Sequence, residues 1–141
     1  MIGAMIAPII PGLNDAEIPA LVQAAADAGA RSASSIVLRL PYGLAPLFED
    51  WLDRHAPERK QKVMNRVRAL RAGRLNDPRF HSRMRGDGVF ADQIQALFDM
   101  ALRQAGLPPR LPPLSTRSFR KPEGRAAQAP QASEVEQLSL L

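Results

Sequence analysis

The chain has 141 residues, of which 45% are apolar and only 5% aromatic, so it is long enough for the core of one ordinary domain. Lys and Arg number 19 against 14 Asp and Glu, which gives a formal net charge of +5. The sequence contains no cysteine, and this excludes disulfides, thiolate nucleophiles and thiolate-bound clusters for this chain by itself.

The charge is distributed unevenly along the chain. Residues 1–50 hold two arginines against five carboxylates, whereas residues 51–88 hold eleven Lys or Arg against four acids. The middle third therefore makes the protein basic. The apolar N-terminal stretch is too short to span a bilayer and has no basic region before it, so we expect a cytoplasmic protein without a membrane partner.

Residues 3–15, GAMIAPIIPGLND, contain an apolar run that ends in Pro-Gly and then Asn-Asp. Such a run predicts a buried strand of a parallel sheet that leads into the loop before a helix. A buried helix is the alternative interpretation. Pro8 and Pro11 disfavour the helix, because proline is poorly tolerated in a helix interior.

A helix and a second strand follow. Asn14 and Glu17 have the spacing of a capping box, which predicts a helix over residues 16–28. Its expected apolar stripe consists of Ile18, Leu21, Val22 and Ala25. Residues 34–40 are interpreted as a second short strand. Strand, helix and strand make a βαβ unit, but two parallel strands alone leave unpaired edges and an uncovered face.

The rest of the ordered chain is predicted to be mainly helical. One helix is entered at Pro46, and a second runs from about Glu58 to Gly73 with an almost wholly cationic outer face. Residues 74–88 contain turn signals without periodicity and predict a loop, whereas residues 89–106 have helical spacing. In the helix that is entered at Pro46, the expected apolar side consists of Leu47, Phe48, Trp51 and Leu52.

Four segments, APIIPGLND, LRLP, LFEDWL and GRLNDPRFHSRMRGDGVFADQI, occur in this order. They resemble the C-terminal part of radical S-adenosylmethionine (radical SAM) proteins related to spore photoproduct lyase, the DNA repair photolyase-like group, over about residues 1–105. The resemblance implies an α/β fold: the C-terminal βαβα portion of a partial (β/α)6 TIM-like barrel, followed by helices and a disordered tail. Residues 3–10 and 34–40 would match the fifth and sixth strands, so we expect a fragment whose partner strands precede residue 1 in longer relatives.

The chemistry of that family needs groups that this chain lacks. Relatives hold a [4Fe–4S] cluster through three cysteines and use it to cleave S-adenosylmethionine, and a chain without cysteine cannot assemble the cluster. The resemblance leaves part of the cofactor pocket, since Gly3, Met5 and Ala7 occupy the strand positions that contact adenine in relatives. Arg39 is the candidate to meet a carboxylate or phosphate. Core packing by Met5, and a structural pair between Arg39 and Asp50, stay open as alternatives.

The predicted loop carries a cluster of arginines. Guanidinium groups fit phosphates, and in a family that acts on damaged DNA this cluster would contact the nucleic acid. The alternative is a solvated loop anchored by Phe80 and Met84. No metal site is predicted, because His55 and His81 lie far apart without carboxylates at ligand spacing. The candidate nucleic-acid-binding residues are Arg74, Arg79, Arg83 and Arg85.

The last residues, EQLSLL, resemble the short peptide with which bacterial DNA polymerases and repair proteins dock into the sliding clamp. Leucines at the end of a flexible tether fill an apolar groove, while a glutamine fixes the orientation. Short motifs also arise by chance, so a tail without a partner is the alternative. The candidate clamp-binding residues are Gln137, Leu138, Leu140 and Leu141.

These observations predict three segments: a βαβα barrel end over residues 1–56, a helical extension with the basic loop over 57–106, and a disordered Pro/Gln/Ala-rich tail over 107–141. The leading hypothesis is a C-terminal fragment of a radical SAM enzyme that is inactive alone and is completed by an N-terminal barrel half. The second is a small basic nucleic-acid-binding module that carries a clamp-binding peptide. A degenerate product without activity is the third.

Overall fold

The computed structural model describes residues 2–80, 82–109, 115 and 117–120. The chain forms two units, Met1–Leu111 and Pro112–Leu141, and the helices and strands of the described residues lie in the first. Within the described part, no helix has both the length and the apolar character needed to cross a membrane. The elements are β1 (Ala4–Ile9), α1 (Ile18–Asp27, preceded by a 3-10 turn at Asp15–Glu17), β2 (Ala33–Val37), α2 (Leu44–His55), α3 (Pro57–Ala69), α4 (Ser82–Arg85) and α5 (Val89–Gln104).

The two strands form a parallel pair with α1 as the crossover helix, so the predicted α/β class and βαβ unit are confirmed. Ala4 lies opposite Ala33 and Ile9 opposite Val37, with an irregularity between Ile6 and Ile9 where the Ala7–Pro8 peptide is cis. The predicted end of β2 at residue 40 was wrong. β2 ends at Val37, and the Leu40 N–H instead donates to the carbonyl of Leu75 at 2.9 Å.

A first core fills the space between one face of the sheet and the helices α1 and α5. The two helices pack on each other, and Ile9 and Val37 contribute from the strands. Leu21, predicted for this core, is exposed instead and lines a groove beside β1. Helix residues in this core include Ile18, Val22, Ile94, Phe98 and Leu102.

A second core joins α2 and α3 to the segment that follows β2. Leu52, Val63 and Val67 are fully buried there, with Leu40 beside them. The predicted apolar side of α2 was wrong in part, because Leu47 and Trp51 are exposed. Trp51 instead stacks between Phe48 and His55 of its own helix, with ring centroids 6.0 and 4.8 Å from its own.

The segment of residues 74–88, predicted as a loop, contains the short helix α4. The carboxylate of Asp77 accepts a hydrogen bond from Ser82 Oγ at 2.7 Å, and Arg83 N–H donates to the carbonyl of Arg79 at 3.1 Å. A four-residue helix has no room for an apolar repeat, so periodicity gave no signal for it.

Asn14 also differs from its predicted role. Its side chain makes no capping bond to the following turn. It accepts a hydrogen bond from the Ile10 N–H at 2.7 Å and donates to the carbonyl of Pro8 at 3.2 Å. Asn14 therefore holds the end of β1, and the predicted capping box with Glu17 was wrong.

Candidate functional site

The candidate cofactor residues of β1 lie on the face of the sheet that is turned away from α1 and α5. Side chains alternate along a strand, so Gly3, Met5 and Ala7 share a face. Met5 is 60% exposed, and its sulfur accepts a weak contact from Ser34 Oγ at 3.5 Å. The alternative that Met5 is core packing does not fit this exposure.

Gly3, a candidate cofactor contact, also lies where there is little space for a side chain. A Cβ atom at this position would lie 2.7 Å from the Oγ of Ser32, which is closer than side-chain carbons approach other atoms. Ser32 is buried and directly precedes β2, so the two chain segments approach each other closely here. A residue larger than glycine would therefore require the Ser32 side chain to move, whether or not a ligand contacts this position.

Arg39 lies beyond the C-terminal end of β2, whereas Gly3 lies before the N-terminal end of β1. The strands are parallel, so these two candidates are at opposite ends of the sheet, and the structure does not bring them together. The alternative pairing of Arg39 with Asp50 was wrong, because the Asp50 carboxylate pairs with Arg54 one turn along α2.

A buried arginine, Arg71, lies near Arg39 and was not among the residues predicted from the sequence. Arg71 is only 2% exposed and donates to the carbonyls of Val37 at 3.3 Å, Leu38 at 2.9 Å and Arg83 at 3.3 Å. Burial lowers the pKa of Arg71, the charge of Asp77 opposes this, and repulsion from Arg39 adds to the lowering. Arg71 lies four residues after the buried Val67, and this helical spacing is the signal that could have identified it.

The segment of residues 74–88, called the arginine loop below, is organised around Asp77, which is buried. Its carboxylate accepts hydrogen bonds from Arg79 Nε and Nη2, from the Arg79 backbone N–H and from Ser82 Oγ, at 2.7–3.1 Å. The hydrogen bonds from the Arg79 side chain contribute most, and together with the others they hold the pKa of Asp77 well below its usual range. The same carboxylate raises the pKa of Arg79. The sequence analysis gave Asp77 no role.

The four predicted nucleic-acid-binding arginines have different surroundings. Arg79 also contacts Asp87 at 3.3 Å, and Arg85 contacts Asp92 at 3.4 Å. Arg83 places its guanidinium carbon 4.3 Å from the ring centroid of Phe80, and Arg74 is exposed. Acidic neighbours therefore reduce the local charge of the loop. His81 lies outside the described residues.

The cationic face of α3 is matched by acids from other elements. Arg66 pairs with Asp15 at 3.3 Å, Arg68 with Glu49 at 3.7 Å and Lys60 with Asp53 at 2.6 Å. Two of these acids come from the acid-rich first 50 residues. The positive charge of α3 is therefore partly balanced inside the folded chain, and fewer of its cationic groups are available to bind a polyanion.

A pocket of about 490 Å³ opens beside the loop between α4 and α5. Its walls combine a mostly exposed aromatic ring with guanidinium and carboxylate groups. They include Phe80, Ser82, Arg79, Arg85, Asp87 and Asp92.

The predicted clamp-binding residues, Gln137 to Leu141, lie outside the described residues, so the clamp motif stays a prediction. The relationship to radical SAM proteins also stays a prediction. No protein-family model matches the chain, and comparisons with curated proteins and with solved structures gave no significant match.

Proposed function

We propose that this chain supplies the last two strands of a radical SAM partial barrel of the DNA repair photolyase-like group, and that further parallel strands pair with β1. The observation that carries the proposal is the outer edge of β1. No other described strand pairs with it, although β1 has the sequence AMIAPI, which is typical of a strand covered on both faces.

The position of the helices supports the same proposal. The first core has α1 and α5 on one face of the sheet, and the opposite face carries the exposed Met5. In a barrel of this kind, helices cover the outside of the strands while the inner face points to the interior. A groove of about 350 Å³ between β1 and α1, lined by Ile6, Leu21 and Ala25, is where the next strand and helix would pack.

The residues present do not fit the iron–sulfur cluster of that family. Cluster ligation needs thiolates, and the sequence has none. The proposed role is therefore to complete the wall of a barrel whose cluster-bearing part lies on other strands. Gly3, Met5, Ala7 and Arg39 are the proposed S-adenosylmethionine contacts in the assembled barrel.

The proposal is tested by giving the isolated chain a partner. We expect the amides of Met5 and Ala7 to exchange rapidly with deuterium in the chain alone, because they point away from β2. They should become protected when a chain that carries a Cys-x-x-x-Cys-x-x-Cys loop and the first strands of such a barrel is co-expressed. Met5→Lys should prevent the association, whereas Val89→Lys, the same kind of apolar-to-cationic change at the exposed first residue of α5, should not.

Two results would contradict the proposal. One is incorporation of an iron–sulfur cluster by the isolated chain after reconstitution. The other is protection of the β1 edge amides in a dilute monomer, because it would mean that the chain covers its own edge.

A second candidate function is a small basic module that binds nucleic acid. The specific observation in its favour is Phe80, a strongly exposed aromatic ring in the arginine loop. Exposed aromatic rings beside arginines are typical of surfaces that bind unpaired bases. The proposed nucleic-acid contacts are Arg74, Arg79, Arg83 and Arg85.

The two candidates differ in measurable ways. A nucleic-acid module should bind DNA as a monomer, with an affinity that falls as the salt concentration rises. For the proposed clamp peptide, deletion of residues 137–141 should abolish capture of the chain by immobilised sliding clamp. Capture that is unchanged by the deletion would remove the clamp proposal.

A further inference from the structure

We propose that the pocket beside Phe80 binds an unstacked purine base, with guanine preferred, presented by single-stranded DNA. The inference rests on the second candidate function and names the ligand class of its loop. It starts from Phe80, whose side chain is 75% exposed. A ring so exposed offers its surface to another flat ring, and bases stack on such platforms in proteins that bind single strands.

Arg83 prepares this platform. Its guanidinium lies over the Phe80 ring with 4.3 Å between the guanidinium carbon and the ring centroid. The backbone of Arg83 is fixed in turn, because its carbonyl accepts a hydrogen bond from the buried Arg71. A ring held by a cation from a fixed segment loses little freedom when a base stacks on it.

The pocket walls are fixed by the contacts of Asp77 and by the turn after α4. Asp77 holds both Arg79 and Ser82. The Asp87 N–H donates to the carbonyl of Leu70 at 2.9 Å, and the Gly86 N–H donates to the carbonyl of Ser82 at 2.7 Å. A Cβ on Gly86 would lie 3.1 Å from that Leu70 carbonyl, so the turn sits tightly against the end of α3.

The polar groups of the pocket match the edge of a base better than they match a phosphate. Arg79 and Arg85 are donors, whereas Asp87 and Asp92 are acceptors, all in the same walls. Guanine presents the complementary set, with N–H donors on one edge and the O6 and N7 acceptors on another. A phosphate would be repelled by the two carboxylates.

A bound base would replace two ion pairs that already join groups of the pocket walls. The contacts of Arg79 with Asp87 and of Arg85 with Asp92 are 3.3 and 3.4 Å long, and all four side chains are more than half exposed. Exposed pairs of this kind contribute little to stability. They can open for a ligand that offers both donors and acceptors, while the tighter Arg79–Asp77 contact stays in place.

A duplex cannot enter such a pocket, because its base faces are stacked and its Watson–Crick edges are paired. The ligand must therefore be a base from a single strand or a free nucleotide. We assign the single strand, because the same loop carries the exposed Arg74, a free nucleotide has no neighbouring phosphate, and a strand offers one for a second arginine of the loop to contact. A free guanine nucleotide is distinguished in the test below.

The test is a fluorescence anisotropy titration of the full chain with labelled ten-nucleotide single strands rich in G, A or T, and with the matching duplex. We expect the G-rich strand to bind most tightly and the duplex to bind at least tenfold more weakly. Phe80→Ala should weaken binding of the G-rich strand by about five- to a hundredfold, from the loss of one stacking contact. Phe80→Tyr should restore most of it, and Asp87→Asn should remove the preference for G.

Phe119→Ala is the matched control, because Phe119 is 74% exposed and lies outside the loop. It should bind like the natural chain. Equal binding by the Phe80→Ala variant and the natural chain, together with salt-dependent binding of duplex and single strand alike, would overturn the pocket and leave the basic module standing. Absence of DNA binding at low salt would overturn both. Binding of GMP that depends on Phe80, without binding of any strand, would overturn the assignment to single-stranded DNA.

Discussion

The two strands of the sheet face very different surroundings. β2 is covered beyond its own edge, because Arg71 donates to the carbonyls of Val37 and Leu38, Leu75 accepts from the Leu40 N–H, and α4 packs against the strand. β1 has α1 on one side and no strand on its outer edge within the described chain.

The covered strand is the more polar one. β2 has the sequence ASSIV, whereas the open strand β1 reads AMIAPI. A strand that stays exposed usually carries charges or polar groups that discourage pairing. Burial of each strand is therefore set by the chain segments that pack on it and not by its own apolar content. Within the described chain, part of the apolar surface of β1 stays exposed.

The largest expected effect comes from placing the same charge on each strand. Val37 is 3% exposed in the first core, so Val37→Lys should lower the free energy of unfolding by at least about 3 kcal/mol, because an unpaired ammonium is buried. Met5→Lys should change it by less than about 0.5 kcal/mol. Urea unfolding of both variants measures the difference, and equal losses would mean that the two strands are equally covered.

Arg71→Met tests the cover of β2 directly. Three carbonyls lose a buried donor, and we expect a loss of about 2–4 kcal/mol in the free energy of unfolding. Arg68→Met is the control, because its contact with Glu49 is 3.7 Å long and partly exposed, and it should cost less than about 1 kcal/mol. A stable Arg71→Met variant would show that these carbonyls do not need the guanidinium.

Asp77→Asn tests the segment that carries α4. The folded-state pKa of Asp77 is depressed by its hydrogen bonds with Arg79, so its contribution is complete above the pKa of an unfolded aspartate, about 3.9, and is lost as the pH falls below that value. The stability difference between the natural chain and the variant should be constant from about pH 5 to 7 and should shrink below about pH 4. Denaturant unfolding over this range measures it, and a difference that grows toward low pH would contradict the assignment.

The smallest expected effect is at Ala72, in the turn that follows α3. Its φ of 52° is in the left-handed region, where a side chain is unfavourable. Ala72→Gly should therefore raise the free energy of unfolding by up to about 1 kcal/mol, whereas Ala96→Gly, inside α5, should lower it by about 1 kcal/mol. Thermal unfolding compares the two, and destabilisation by both would contradict the strain at Ala72.

Periodicity and turn residues predicted most of the elements. The parallel strand pair, the crossover helix and three further long helices follow from apolar spacing and from glycines such as Gly29 and Gly73, which have φ of 91° and 84°. The misplaced core residues share one cause. Where Leu21, Leu47 and Trp51 were expected in a core, the helical spacing was correct, but no neighbouring element of the described chain covers that side of the helix.

The candidate site was less predictable than the fold. Arg71 organises the region after β2 through hydrogen bonds to Val37 and Leu38, which lie far from it in the chain, and single-sequence patterns do not reveal such bonds. The bonds of Asp77 to Arg79 and Ser82 are local, but they follow no helical or strand period that a sequence pattern would show. Gly3 and Arg39 were grouped by resemblance alone, and the parallel register separates them. The arginine loop was recognised from composition, but its acidic partners and the exposure of Phe80 required the structure.

The contact between Gly3 and Ser32 has a consequence for mutational scanning. Position 3 lies at the surface, and its intolerance to larger residues would resemble the signature of a ligand-binding residue. Removal of the hydroxyl by Ser32→Ala makes room for a methyl group, so a Gly3→Ala defect that this second change rescues is a problem of space. A defect that survives the rescue belongs to recognition.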